Sequence, residues 1–432
     1  MKHLHYRAAL IAAAVMTASL LSSCGNTDSE PEGLSKLTTA ETSSVTTSAT
    51  TVTSVTAGST ATAATTTPTT AATAKKTTKK KKTTTTATET EAVTEPVTEA
   101  TTTTAAPVVT APPVSSTPAP VERPAGLEDY MPAYGEWCGN IVVVDRYEGD
   151  RIRGLPPFYG YLSTGQQYAA VLNQYKAMVG SGVNVYNMSC PLSSAYYIPK
   201  GMENTFTEQH MCIRNVGDYL NGVTNIDIYD TLAAHLGEYI YSRTDHHWQP
   251  LGAYYAAQQF AAAAGVPFAD LSQYDKVFKT GYLGSLYNYS GNIQELADHP
   301  DTFTYYKPKN SYTTRYYDGY FQNGYDGSLF FDSVSGAGCY CSFLGSDDKI
   351  CEIDSDVDNG RVLVIIKDSY GNALVPFLVQ SFDKIYVVDF RYTYIKMNDL
   401  FTRVGATDVL FGATISSAYA DSRISTIQSL MM

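Results

Sequence analysis

From about residue 140 onward, apolar positions fall into short runs separated by stretches of helical spacing. Asn140 to Asp145 (Asn-Ile-Val-Val-Val-Asp) is β-rich, and Gln166 to Val179 is apolar at the 3.6 period of a helix. Gly182 to Met188 predicts the next strand, Glu208 to Leu220 a helix, and Asn225 to Tyr229 another strand. Asp230 is placed to cap a short helix over Thr231 to Leu236. Glu238 to Ser242 reads as a strand and Leu251 to Ala264 as a helix. Arg361-Val-Leu-Val-Ile-Ile-Lys367 is apolar almost throughout, the mark of a parallel strand buried on both faces. A turn at Asp368 to Asn372 follows, then a helix to Ser381, a strand at Lys384 to Asp389, a helix at Tyr394 to Val404 and a strand at Asp408 to Gly412. This rhythm predicts an α/β fold, a three-layer domain with a parallel sheet and helices on both faces. Residues 265–355 break it. They are rich in Tyr, Gly, Asn and Asp, with short β runs such as Ser328 to Phe331, and predict a long, partly β insertion.

The first quarter of the chain is a different polymer. Lys2 and Arg7 precede an apolar run from Ala8 to Leu21, too short to span a bilayer comfortably. The run ends Leu21-Ser-Ser-Cys24-Gly, which resembles a bacterial lipobox, with Cys24 lipidated after removal of residues 1–23. The expectation is an exported protein, lipid-anchored to the cell membrane or cell surface. Residues 24–124 are Thr, Ala, Ser, Pro and Val with almost no aromatic residue, and cannot build a core. They predict a disordered tether with an r.m.s. span of ~50–60 Å. The Lys-rich patch at Lys75 to Lys82 reads as a solvated charge run. Residues 125–432 form the domain.

Charge narrows the partners. Of 30 basic and 42 acidic residues, 10 and 9 precede residue 125, leaving 20 against 33 and a domain net charge of −13. An acidic surface argues against nucleic acid and against polyanions as major partners, and is compatible with neutral glycans. Six cysteines remain beyond Cys24; Cys339-Tyr-Cys341 is not zinc spacing, so thiols or disulfides are expected rather than a metal.

The chemistry concentrates in two stretches. A buried strand followed by Asp368-Ser369 and a helix exposes a serine hydroxyl at the carboxyl end of the sheet, with backbone N–H groups beside it for an oxyanion. Serine needs a base within reach. The domain has five histidines, His210, His235, His246, His247 and His299. Two stand together in Tyr241-Ser-Arg-Thr-Asp-His-His-Trp-Gln-Pro-Leu-Gly-Ala253, on a predicted strand-to-helix loop. On an extended segment Asp245 and His247 point the same way, so Asp245 can orient His247 while His247 faces Ser369. His246 then points away. Trp248 is left as wall or substrate platform.

Thr244-Asp-His-His-Trp248 with Gly252-Ala253, and Lys367-Asp-Ser-Tyr370 with Pro376-Phe-Leu378 and Asp389-Phe-Arg-Tyr392, resemble the bacterial DHHW proteins over most of residues 136–415. These are similar to the alginate O-acetyltransferases, whose domain is a circularly permuted SGNH hydrolase fold. The resemblance implies a triad of Ser369, His247 and Asp245, an acetyl-serine intermediate passed to a polysaccharide hydroxyl or to water, and no cofactor. It implies a membrane-bound O-acyltransferase as acetyl source. Lys367 stands where the family pattern has Gly, and no clear Gly-x-Asn block supplies a second oxyanion donor. Asn372 and the loop around Asn187 are candidate donors, and Arg391 either steadies an acyl donor or the Asp, or only pairs with Asp389.

Two other readings remain open. Asp-His-His also occurs in manganese phosphoesterases, although their further Asp-rich motifs are missing here. A glycan-binding or scaffolding lipoprotein with a decayed site would also fit, and Lys367 favours it.

Overall fold

The computed structural model describes residues 126–432. The expected signal peptide (1–23), the lipidated Cys24 and the tether (24–124) lie outside the described residues. Among the described residues no helix is long and apolar enough to cross a membrane.

Strands β1 (Gly135–Cys138), β2 (Ile141–Val144) and β3 (Arg153–Leu155) form a small antiparallel sheet. The β-rich run at Asn140 to Asp145 thus belongs to this side sheet and not to the main one. The main sheet has eight strands. These are β4 (Asn184–Cys190), β5 (Thr224–Asn225), β8 (Tyr312–Tyr317), β9 (Tyr325–Asp326), β10 (Ile350–Ser355), β11 (Val362–Lys367), β12 (Lys384–Asp389) and β13 (Asp408–Thr414), in the order β5-β4-β13-β11-β12-β10-β8-β9. β6 (Tyr274–Tyr282) and β7 (Asp301–Pro308) pair antiparallel in a sheet of their own.

β11 lies between β12 and β13, parallel to both, and is buried from Leu363 to Lys367. The helices α1 (Leu162–Val179) and α3 (Pro250–Ala264) cover opposite faces, and α2 (Gln209–Asp218) packs beside α1. Tyr186 of β4 meets Phe260 of α3 with ring centroids 5.3 Å apart, and Phe411 of β13 meets Tyr175 of α1 at 5.0 Å. Tyr186 is in register with Leu410, the neighbour of Phe411, so the two contacts leave opposite faces of the sheet. Pro250 starts α3 without losing a bond, and Gly265, at φ 66°, ends it. Glu208 caps α2 by accepting from the N–H groups of His210 and Met211. After α4 (Met397–Val404) and β13, α5 (Asp421–Ser429) packs against α1.

Three expectations change. The sheet is mixed, because β10, β8 and β9 join antiparallel beyond β12. Part of the stretch read as an insertion therefore extends the sheet. β8 reads Tyr-Thr-Thr-Arg-Tyr-Tyr and buries only Thr314 and Tyr316, so its pattern lacks the continuous apolar run of a central strand. Finally, no sheet strand precedes the Asp-His-His-Trp loop. Tyr241 forms only an isolated bridge to Trp248, and Tyr229–Ala233 is the short helix, with Asp230 in its first turn.

Candidate active site

β11 ends at Lys367, and the chain turns through a 3-10 segment, Ser369–Ala373. Asp368 fixes this turn. Its Oδ1 accepts the Tyr370 N–H at 3.0 Å, and its Oδ2 accepts the Thr414 N–H, the Thr414 hydroxyl and the Ser417 hydroxyl at 2.9, 2.8 and 2.7 Å. Asp368 thereby ties the ends of two adjacent parallel strands together. Gly371 follows because a Cβ there would lie 2.4 Å from Lys367 Cβ.

The Asp-His-His-Trp loop folds over this turn. The Ser242 N–H donates to the His247 carbonyl, and the Gln249 N–H to the Ile240 carbonyl. Asp245 Oδ1 accepts the His247 N–H at 3.0 Å and contacts His247 Nδ1 at 2.6 Å. His247 Nε2 lies 2.8 Å from Ser369 Oγ. Asp245 and His247 meet through a tight side-chain-to-backbone turn, not through an extended strand. Asp245 Oδ2 accepts the Ser285 N–H at 2.8 Å. That approach is possible because residue 284 is glycine, where a Cβ would lie 2.2 Å from Asp245 Cβ. Burial works to raise the Asp245 carboxyl, but the rings of His247 and His246 overcome it and hold the group well below the usual carboxylate range.

Tyr340 lies over the His247 ring with centroids 3.6 Å apart and planes 8° apart, and its hydroxyl donates to the carbonyls of Ser369 and Tyr370. One tyrosine thus holds both the imidazole and the serine turn. Asp301 anchors the loop from below, accepting from the Thr244 N–H at 2.8 Å and the Thr244 hydroxyl at 2.7 Å.

Ser369 opens into a cleft of about 990 Å³, its mouth included, at the carboxyl ends of β4, β13, β11 and β12. Phe158, Tyr159, Tyr289 and Tyr419 supply an aromatic wall, and His246, Ser416, Arg391 and Arg423 supply polar groups. His246 is therefore not turned away. Its ring sits 3.8 Å from that of His247, its Nδ1 meets the Ser285 hydroxyl, and its edge lines the cleft. Burial, reinforced by His247, pushes His246 down to about 3, so this ring is neutral.

A second buried polar cluster adjoins the turn. Lys367 Nζ lies 2.8 Å from both Asp347 Oδ1 and Asp389 Oδ2. Arg391 donates Nε to Asp389 Oδ1 at 2.8 Å, and Nη2 to Asp389 Oδ2 and Asp347 Oδ2, both at 2.7 Å. Burial opposes the charge on Lys367, but the two carboxylates overcome it and raise its pKa. Lys367 therefore points into this cluster and does not block Ser369.

Two of the tentative site residues sit elsewhere than expected. Trp248 is fully buried; its indole N–H donates to the Tyr370 carbonyl at 3.1 Å, and it does not line the cleft. It clamps the serine turn and offers no platform to a substrate. Asn372 donates to Asp347 Oδ1 at 2.8 Å and is likewise off the cleft wall, so it is no oxyanion donor in this arrangement. Arg391 does pair with Asp389, yet also lines the cleft.

Asp245, His246 and His247 offer ligand atoms within 4.8 Å of one another. Those atoms are already engaged: His247 with Asp245 and Ser369, His246 Nδ1 with Ser285, and Asp245 with Ser285 and His247. A cation here would have to break these bonds.

Sequence reasoning missed Gly284, Ser285, Asp301, Tyr340, Asp347 and Arg423. Five of them fall in the stretch read as an insertion, and no motif marks them.

Comparison with known proteins gives a consistent picture. The family described as DHHW protein matches residues 149–388. A DHHW family protein from Eubacterium siraeum superposes with a TM-score of 0.66 at 39% identity, covering 70% of this chain and 99% of its own. Bacillus cereus PatB1 with a sulfonyl adduct superposes with a TM-score of 0.55 at 16% identity, covering 68% of this chain and 99% of its own; that likeness concerns the fold. No curated protein matches the chain.

Proposed function

The chain belongs to the DHHW family, and from that premise we propose that it is an O-acetyltransferase or acetylesterase acting on a polysaccharide through an acyl-serine. The observation that carries this reading is the unbroken line Asp245 Oδ1–His247 Nδ1, 2.6 Å, and His247 Nε2–Ser369 Oγ, 2.8 Å, opening into a cleft at the end of a parallel sheet. Asp245 is the orienter, His247 the base and Ser369 the nucleophile. We read the domain as a circularly permuted SGNH hydrolase, with the Asp-x-His pair ahead of the serine in the chain.

In the first step His247 Nε2 takes the Ser369 proton as Oγ attacks the acetyl carbonyl. Asp245 keeps Nδ1 protonated and steadies the imidazolium. The C–O bond to the donor breaks, and His247 returns the proton to the departing oxygen. In the second step a glycan hydroxyl or water gives its proton to His247 and attacks the acetyl-serine; the acyl C–Oγ bond breaks, and His247 returns the proton to Ser369 Oγ. The oxyanion needs N–H donors. Those of Tyr370 and Gly371 are committed to Asp368, so we assign the Ser369 N–H to this task. The aromatic wall suits the apolar faces of sugar rings. Neutral His246 is placed to accept from a substrate hydroxyl.

The wider setting belongs to the same proposal: export, a lipid anchor at Cys24, and a membrane-bound O-acyltransferase that supplies acetyl groups. Hydrolysis of p-nitrophenyl acetate tests the core of it. Ser369→Ala is expected to lower turnover 10³–10⁶-fold, roughly 4–8 kcal/mol of transition-state stabilisation, with the fold intact. Activity that survives Ser369→Ala would end this reading.

A further inference from the structure

Hydrogen-bond donors outnumber acceptors at one end of the cleft. Around the serine turn stand three cations, Lys367, Arg391 and Arg423, and three carboxylates, Asp347, Asp368 and Asp389. Their formal charges cancel, but their hydrogen bonds do not. Every carboxylate oxygen is taken. Asp347 accepts from Lys367, Asn372 and Arg391; Asp389 from Lys367 and Arg391; Asp368 from Tyr370, Thr414 and Ser417. The donors are left over. Arg391 uses Nε and Nη2, which leaves Nη1 without a partner among the described residues, although its side chain is only 5% exposed and lines the cleft. The half-buried guanidinium of Arg423, on α5, lines the same cleft with no ion-pair or hydrogen-bond partner among the described residues.

Arg391 already holds Asp389 in its fork, whereas no carboxylate oxygen is left to enter that of Arg423, although Asp368 lines the same cleft. Burial first, and then the like charge of Arg391, works against the charge on Arg423, and the attraction of Asp368 and Asp389 does not fully offset them. A guanidinium does not deprotonate to escape this; it needs an oxyanion in its fork. Ser416 lines the same cleft and can add a donor, whereas the Ser417 hydroxyl is spent on Asp368.

We propose that the Arg391–Arg423 corner binds one oxyanion group, a carboxylate or a phosphate, on the same saccharide whose hydroxyl is acylated or deacylated at Ser369. The inference rests on the acyl-transfer reading of Ser369 and names its substrate class: a saccharide that carries an acidic group next to the reacting hydroxyl. It also sharpens the reading of the acidic domain. A net charge of −13 repels a densely charged polymer at long range, but that repulsion is screened beyond ~8 Å at physiological salt. Inside the cleft the two guanidiniums decide. The site therefore selects isolated acidic groups on a sparsely charged glycan.

Binding tests this without turnover. The full chain with Ser369→Ala is titrated calorimetrically with methyl glucoside, glucuronic acid and glucose 6-phosphate, which share one ring and differ in charge. At least one acidic ligand is expected to bind ~10-fold or more tightly than the glucoside, about 1.4 kcal/mol. Which of the two does so identifies carboxylate or phosphate as the group. Adding Arg423→Gln is expected to bring the ratio close to one. Arg423 lies outside the closed ion cluster, so this variant keeps every bond that holds the turn. Equal binding of charged and neutral ligands, no binding of either acid, or a preference that survives Arg423→Gln would overturn the proposal. Because Ser369 is already replaced, these outcomes are independent of whether the wild-type protein hydrolyses p-nitrophenyl acetate, so failure of the acyl-enzyme reading is seen separately.

Discussion

Two buried polar networks meet at the serine turn, and they are built to opposite ends. The Lys367–Asp347–Arg391–Asp389 cluster is closed, with two cations, two carboxylates, contacts of 2.7–2.8 Å and every carboxylate oxygen satisfied. Such a set can hold a turn rigid, but it has no proton to give. The Asp245–His247–Ser369 line is open. It runs from a carboxylate fixed by Ser285 through an imidazole clamped by Tyr340 to a hydroxyl at the cleft wall. Similar burial and similar chemistry therefore yield a brace in one place and, on the function proposed above, an acid–base relay in the other. The difference is that the open line ends in a hydroxyl whose proton His247 can take, whereas the closed cluster turns only a spare guanidinium N–H of Arg391 to the cleft.

That contrast can be broken by substitution on either side. The largest effect is expected where Ser369→Ala removes the relay's end, as above, with stability nearly unchanged. On the closed side, Asp347→Asn leaves Lys367 and Arg391 with one buried carboxylate between them. Removing one member of a buried ionic set costs about 3–5 kcal/mol. A denaturant midpoint at neutral pH reads this, and a variant as stable as the parent would show that the cluster is no brace.

The smallest effect concerns His246, which the closed cluster does not touch. Its folded pKa is lowered to about 3 against an ordinary value near 6.5. Between those values the unfolded chain holds a proton that the folded chain does not, so stability falls as pH drops from about 6.5 towards 3. The slope is up to about 1.4 kcal/mol per pH unit. His246→Gln is expected to flatten this part of the curve, read as thermal midpoints at pH 7, 6, 5 and 4. An unchanged slope would mean that His246 is not held neutral.

The relay was legible in the sequence because its pieces are local. Asp245 and His247 are two residues apart, and Ser369 follows the most continuous apolar run in the chain. The brace was not. Lys367 looked like a defect at a glycine position until Asp347 and Asp389 were seen beside it, 20 and 22 residues away in the chain. Trp248 misled in the other direction. Its neighbours suggested a substrate platform, yet its indole N–H is spent on the Tyr370 carbonyl. The alternation of strands and helices marked the parallel half of the sheet. The antiparallel edge was hidden because β8 alternates Tyr and polar residues, as a half-exposed strand does. Gly284 and Ser285 set the Asp245 carboxylate through tertiary contact alone, which no spacing rule reveals.

The central claim is that Ser369 is a nucleophile activated by His247. The most direct measurement is peptide mass spectrometry of the folded chain after brief exposure to p-nitrophenyl acetate and acid quench. The account predicts one acetyl group on the peptide that contains Ser369, and its loss in His247→Asn. An unmodified Ser369, or labelling that persists at full rate in His247→Asn, would contradict it.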